Sequence, residues 1–142
     1  MRQTNDNSKY IIAILTVNDI VKWCEDNGFI GEKSPNGTYK GSDGRLVTNP
    51  LDRWHYERVE NVDGIDINEY VDIQLIMPAC YMAMVDVNAA IDGVVIEGSR
   101  VFDVGSTIAS AKHWVRCKED VERIISLRPQ VIAMAKQVLG MD

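Results

Sequence analysis

The sequence predicts an α+β domain with a small, mostly antiparallel sheet, an N-terminal helix and a helical C-terminal third. Turn dipeptides between short β-branched segments are typical of hairpins, and residues 70–77 alternate between apolar and polar side chains as a half-covered strand does. Apolar residues at helical spacing occur near both ends of the chain. Because these strands and helices do not follow a strict βαβ order, α+β fits better than a doubly wound sheet.

The chain has the length of one domain, 142 residues, with 46% hydrophobic and 25% charged residues. Such a chain can bury enough surface to fold without metals or disulfides. We expect the polar residues 1–9 to form a flexible N-terminal tail and residues 10–142 to form a single α+β domain.

The first elements are predicted by a continuous apolar run and a cap signal. Residues 10–15 ("YIIAIL") predict a strand covered on both faces. Thr16 is a candidate N-cap, with Asp19 three residues later, and Gly28 can end the helix that follows. The apolar face of that helix would consist of Val17, Ile20, Val21 and Cys24.

Glycine-containing turns dominate the next segment. Asn36-Gly37 and Asp43-Gly44 favour positive φ, so residues 38–48 predict a hairpin with its loop at Gly41 to Gly44. Further on, residues 70–77 predict a strand with Val71, Ile73, Leu75 and Met77 on one side. Asp66 and Glu69 form a competing cap signal, which would start a helix at Ile67 instead.

The rest of the chain is predicted to be mainly helical. Pro78 and Gly93 flank an Ala- and Met-rich segment, which favours a buried helix there. Gly98-Ser99 predicts a tight hairpin over residues 94–102. Three helical segments follow: Ser106 or Thr107 to about Arg116, residues 118–128, and a last helix from Pro129 to Gly140.

Charge and cysteine usage limit the partners. The net charge of −6 and a pI of 4.9 argue against a nucleic-acid partner, because the surface repels phosphate. No apolar run approaches the ~20 residues of a membrane span. Three widely spaced cysteines without a Cys-x-x-Cys pair indicate thiols in a reducing, cytoplasmic compartment, and the sequence predicts neither a metal site nor a cofactor.

Residues 52–61 ("DRWHYERVEN") are the densest cluster of functional side chains. On a strand, Trp54, Tyr56 and Arg58 would share one face, while His55 and Glu57 would share the other, where the carboxylate could orient the imidazole. Tryptophan, tyrosine and arginine anchor protein interfaces and also clasp nucleotides. The predicted partner- or ligand-binding residues are Arg45, Arg53, Trp54, His55, Tyr56, Glu57, Arg58 and Arg100. The alternative is an edge strand whose aromatic side chains cover one end of the core.

A second cluster lies at His113 and Cys117. Four residues apart on a helix, they would share one face, as a metal pair or an activated thiolate requires. Two ligands do not complete a zinc site, so packing is the simpler interpretation.

We therefore expect a non-catalytic, acidic interaction protein, inhibitor- or immunity-like, that binds and blocks or buffers a partner. One alternative is a small-ligand protein that binds a nucleotide or phosphate. Another is a small hydrolase or transferase that uses His55 and Glu57, although an enzyme is the less favoured class. The apolar C-terminal helix also suggests a homo-oligomer through Val131, Ile132, Met134, Ala135, Val138 and Leu139.

Overall fold

A five-stranded antiparallel sheet with helices on one face forms the centre of the structure, a computed structural model that describes residues 8–34, 38–40, 43–48, 52–97 and 100–141. After a 3₁₀ turn at Ser8–Tyr10, the elements are α1 (Ile14–Asp26), β1 (Ile30–Ser34), β2 (Thr38–Lys40), β3 (Leu46–Thr48), β4 (Arg53–Val62), β5 (Ile65–Met77), β6 (Cys80–Glu97), β7 (Arg100–Val115), α2 (Lys118–Ile125) and α3 (Arg128–Val138). The predicted α+β class is confirmed.

The strand order of the main sheet is β1-β4-β5-β6-β7, and every neighbouring pair is antiparallel. Strands β2 and β3 form a separate hairpin in the connection from β1 to β4, and Gly44 in its turn has a φ of +82°, which confirms the hairpin predicted over residues 38–48. The hairpin predicted around Gly98-Ser99 is present as β6 and β7, whose pairing ends at Glu97 and Arg100. The two turn residues themselves lie outside the described residues.

The two faces of the sheet differ clearly along β5. Ile65, Ile67, Glu69, Val71 and Ile73 are completely or almost completely buried, while the residues that alternate with them are more exposed. This is the period of two that a half-covered strand requires. The predicted strand over residues 70–77 is confirmed, and the alternative helix from Ile67 is wrong.

All three helices pack on the same face of the sheet and complete a single core. Their buried contributions are Val17, Ile20 and Cys24 from α1, Val121 and Ile124 from α2, and Val131 and Ala135 from α3. The inward face predicted for the first helix is confirmed for Val17, Ile20 and Cys24, and Val21 is partly buried against the core. Gly28, two residues after the end of α1, has a φ of +79°. The predicted Thr16 cap is wrong, because the N-cap is Ala13.

Residues 10–15 do not form the predicted strand. Only Ile12 bridges to Tyr81, through backbone hydrogen bonds of 2.9 and 3.0 Å, and α1 has already begun at Ile14. Leu15 is 75% exposed, so the apolar run is not covered on both faces as the prediction required.

The helices predicted after Pro78 and over residues 106–116 are also wrong, since both segments are long strands. Pro78 lies in a two-residue turn before β6, and Ala79 beside it has a φ of +61°. Strand β6 is paired on both sides, so ladder hydrogen bonds and burial at alternate positions outweigh the helix propensity of alanine and methionine. Its inward residues are Ala83, Val85, Val87 and Ala89.

A buried glutamate ties several elements together at one edge of the core. Glu69 of β5 is 1% exposed and accepts two hydrogen bonds from Arg58 of β4, at 2.8 and 2.9 Å. Arg58 also donates to the backbone carbonyl of Asn27, 2.8 Å away, and Arg128 of α3 lies 3.7 Å from the same carboxylate. Because a buried charge is stable only when it is paired, this cluster fixes how helices and strands meet.

Gly31 is required where β1 meets β4. A Cβ atom at this position would collide with the carbonyl oxygen of His55 and lie 2.6 Å from the Cα of Tyr56. We expect Gly31→Ala to lower the free energy of unfolding by about 1–3 kcal/mol, because one strand must shift to relieve the overlap. Urea unfolding measures the loss. Ile30→Ala is the matched control: Ile30 is 79% exposed, and its truncation should cost within about 0.5 kcal/mol. Equal losses in both variants would contradict the close approach.

Asp120 in the first turn of α2 should give the fold a specific acid sensitivity. Burial alone would raise the pKa of its carboxyl group, but the hydrogen bond from the Arg116 backbone N–H and the charges of Arg123 and Arg116 outweigh burial and lower the pKa below 3.8. A lowered folded-state pKa means that the stabilisation is complete above the unfolded-state value and disappears as the pH falls through the folded-state value.

We therefore expect Asp120→Asn to be less stable than wild type at pH 7 by about 1–2 kcal/mol, with the difference shrinking below about pH 3.8. Thermal unfolding across this range, wild type beside variant, measures the difference. A gap that stays constant with pH would show that the charge of Asp120 does not stabilise α2.

Candidate docking face of the sheet

The face of the five-stranded sheet that points away from the helices, here called the open face, carries the candidate site. Within the described part of the chain, the buried residues of α1, α2 and α3 all belong to the core on the other side, and no helix packs on the open face. Strands hold side chains in fixed cross-strand positions, so the open face is a rigid display of whatever the sequence places there.

Two neighbouring cross-strand rows form the middle of the open face. Directly opposite residues in an antiparallel sheet share a face, so the strand register defines each row. The first row runs through Glu32, His55, Asp72, Met84 and Trp114. The second row runs through Ile30, Glu57, Tyr70, Asp86 and Lys112. Both rows thus combine aromatic, apolar and charged side chains across the five strands.

His55 is held by carboxylates on both sides. Its Nδ1 lies 2.7 Å from Asp72 Oδ1, and its Nε2 lies 3.7 Å from Glu57 Oε2. Arg53 contacts the same Asp72 oxygen at 3.4 Å, and the ring of Tyr70 lies 5.7 Å from the imidazole, centroid to centroid. The predicted proximity of His55 and Glu57 is therefore present, but the closer partner is Asp72, which only the strand register identifies.

This cluster has the geometry of a carboxylate-oriented imidazole, the arrangement of a general base. A hydrolase or transferase of the nucleophilic type needs an activated nucleophile as well. Cys24, on the helix-covered side, is not one: burial, and after it the charge of Glu25, raises the pKa of its thiol to about 12. The His55 side chain is 44% exposed, and the cluster can equally serve as a polar contact surface.

The second row concentrates negative charge around a tyrosine. Burial, and then the charges of Glu57, Asp86 and Asp72, raise the pKa of Tyr70 above 10. Asp86 faces Lys112 across the ladder, yet its Oδ1 is buried and has no hydrogen-bond partner in the described structure. A carboxylate oxygen that is buried without a donor is costly to the folded state.

The open face carries two open depressions, one of them lined by His55. One, of about 410 Å³, lies along β1 and is lined by Ile30, Gly31, Glu32, Ser34, His55 and Glu57. The other, of about 210 Å³, is lined by Arg53, Asp72, Gln74, Met82, Met84, Lys112 and Trp114. The second combines an aromatic ring and two methionines, side chains that are enriched in protein interfaces, with Arg53, Asp72 and Lys112.

The residues predicted for binding are distributed over different parts of the molecule. Trp54 and Tyr56 lie in the core under the helices, 7% and 6% exposed, and Trp54 packs against Tyr81 at 5.6 Å between ring centroids. Arg58 is occupied by Glu69 on that same side. The strand alternation predicted for residues 52–61 is thus confirmed, and the face with the two aromatics is the inner one.

Three predicted residues, Arg53, His55 and Glu57, lie together on the open face. Arg45 lies in the β2–β3 hairpin, where its exposed side chain pairs with Asp43 at 3.7 Å. Arg100 begins β7, and its side chain lies outside the described residues. Among the predicted arginines whose side chains the structure describes, only Arg53 lies on the open face.

The sequence missed Tyr70, Asp72, Met84, Asp86 and Trp114 as site residues. Three of them belong to segments predicted as helices, where alternate residues do not share a face. The alternation of Ala83, Val85 and Val87 with polar or larger residues was the signal available for β6.

The pair His113 and Cys117 is not on a helix. His113 lies in β7, opposite Val85, and Cys117 follows the strand as the N-cap of α2. The four-residue spacing therefore does not have the helical geometry on which the metal or thiolate hypothesis depended. Across residues 8–34, 38–40, 43–48, 52–97 and 100–141, no group of three metal-ligating side chains could hold a metal ion.

Comparison with known proteins adds no relative: no protein-family model, curated protein or solved structure matches the chain. None of the helices described is both long and apolar enough to cross a membrane.

Proposed function

We propose that this chain is a non-catalytic interaction protein that binds and blocks or buffers a partner protein through the open face. The observation that carries the proposal is the row His55, Asp72, Met84 and Trp114, which lies on a sheet face that no described helix covers. Trp114 is 37% exposed at the end of this row.

The composition of the open face supports protein binding. Tryptophan, tyrosine, methionine and arginine are enriched in interfaces, because they bury much area or form several hydrogen bonds at once. Trp114, Tyr70, Met84 and Arg53 supply one of each on the open face. Their strands are paired on one or both sides, so little ordering would be needed on binding.

The alternatives receive less support. A phosphate- or nucleotide-binding site would gather arginines, yet Arg53 shares Asp72 with His55 and Arg58 is held by Glu69. Nucleotide stacking on Trp54 or Tyr56 would require rings that are buried in the core.

The three free cysteines fit the reducing, cytoplasmic setting that we propose for the binding.

The test is native mass spectrometry of the protein purified gently from its own cells. We expect wild type to carry a stoichiometric second protein, and Trp114→Ala to bind it about thirtyfold more weakly and retain clearly less of it, the loss of affinity expected for an interface anchor of about 2 kcal/mol. Leu15→Ala removes a side chain on the helix side that is 75% exposed, and should retain the partner fully. Equal retention by both variants, or a bound small molecule in place of a protein, would contradict the proposal.

We further propose that the chain self-associates through α3. Val131 and Ala135 of α3 are buried in the core. Met134 and Val138 of the same helix, and Met141 just after it, are exposed. None of these three exposed residues is charged, and the nearby Lys136 and Arg128 form ion pairs with Asp63 and Glu60. Light scattering should give about twice the 15.9 kDa of one chain, and Met134→Lys should reduce the mass to 15.9 kDa. Monomeric wild type would refute self-association.

A further inference from the structure

We infer that the partner is a protein with a basic segment, in which an arginine or lysine next to an apolar side chain docks on the two rows of the open face. The inference rests on the proposed function and names the chemistry of the partner. The segment would place its cation over the second row, near Tyr70 and Asp86, and its apolar neighbour over the first row, against Met84 and Trp114.

The described part of the open face is predominantly acidic. The acidic residues of the described open face are Glu32, Glu57, Asp66, Asp72 and Asp86, against two basic residues, Arg53 and Lys112. Arg53 pairs with Asp72, and His55 lies between Asp72 and Glu57, 2.7 and 3.7 Å from their carboxylates. Glu57 and Asp86 remain on either side of Tyr70, which makes this part of the face complementary to a cation.

Asp86 places a carboxylate directly beside Tyr70 on the open face. Its Oδ1 is buried against the sheet without a hydrogen-bond donor in the described structure, and Lys112 directly across the ladder forms no ion pair with it within 4 Å. Desolvation that no hydrogen bond compensates is unfavourable. A guanidinium or ammonium group of a partner that docks here would contact the ring of Tyr70 through its π face and would be attracted by the neighbouring carboxylate of Asp86.

The spacing of the two rows sets the form of the segment. Residues two apart on a strand point to the same face and lie roughly 7 Å apart, so the acidic and apolar rows are separated by about that distance. An extended segment with a basic and an apolar residue at positions i and i+2, or a helix with them at i and i+4, spans it. Attraction between the acidic chain, with net charge −6, and a basic partner would also accelerate association at low salt.

Selection from a random twelve-residue peptide display library on the purified protein tests the inference. We expect the enriched peptides to contain arginine or lysine beside an apolar residue. The best peptide, synthesised and measured by fluorescence anisotropy, should bind Asp86→Asn and Trp114→Ala at least about tenfold more weakly than wild type. Glu119→Gln, which removes an exposed charge on α2, should bind unchanged. Thermal unfolding of each variant verifies that it is folded.

The two proposals fail in different ways. Acidic or uncharged peptides that still lose affinity for Trp114→Ala would overturn the basic partner while keeping the open face as a docking site. Peptides that bind both open-face variants as well as wild type would overturn the docking site itself, and so would a selection without enrichment. Basic peptides that weaken only with Glu119→Gln would bind on the helix side, at α2, and would overturn both proposals.

Discussion

Glu69→Ala is expected to lower the free energy of unfolding by about 3–5 kcal/mol, because it leaves the guanidinium of Arg58 half-buried without its carboxylate. Both oxygens of Glu69 accept from Arg58 in a forked pair, the strong geometry for this interaction. The pair also holds the Asn27 carbonyl at the end of α1, so its loss should loosen the contact between α1 and the sheet. Urea unfolding with a fixed m-value measures the effect.

Glu60→Ala is the matched control, since Glu60 also pairs with an arginine of this cluster but is mostly exposed, at 3.2 Å from Arg128. It should cost less than about 1 kcal/mol. The double variant Arg58→Met with Glu69→Leu should recover much of the loss, because an apolar pair needs no charge compensation. Similar losses for Glu69→Ala and Glu60→Ala would contradict the role of the buried pair.

Ile73→Ala is expected to cost about 2–5 kcal/mol, the second large effect. Ile73 is completely buried between Trp54 of β4 and Ala83 of β6, and removal of its outer carbons leaves a cavity that paired strands cannot close. Calorimetric or urea unfolding measures it.

Gln74→Ala, at the next residue, is the control for the difference between the two faces. Gln74 is exposed on the open face, so its truncation should change stability by no more than about 0.5 kcal/mol. A loss comparable to that of Ile73→Ala would show that the open face is covered and would remove the basis of the docking proposal.

The fold class and the shorter elements were predictable because local signals determine them. The Asp43-Gly44 turn, the alternation of residues 70–77 and the helical spacing of Val17, Ile20 and Cys24 each act over a few residues. The long strands β6 and β7 were not predictable in this way. The alanines of both strands and the methionines of β6 favour a helix in isolation, and the pairing of β6 with β5 and β7 that overrides this preference is a tertiary effect.

The candidate site was only partly predictable for the same reason. His55 and Glu57 share a strand, so their proximity follows from the sequence. Asp72, Met84 and Trp114 join His55 only through the register of three further strands, and register depends on the whole sheet. The outward-facing set of residues 52–61 turned out to be the polar one, since Trp54 and Tyr56 supply the core under the helices.

Site-specific photo-crosslinking in the cells that make the protein tests the central claim most directly. A photoreactive amino acid is placed at Gln74 or Lys112 on the open face, and at Leu15 or Glu119 on the helix side, all at exposed positions. The account predicts that both open-face positions crosslink to the same protein, at the same mass, and that neither helix-side position does. Crosslinks to that protein from the helix side alone, or equally from both sides, would contradict docking on the open face.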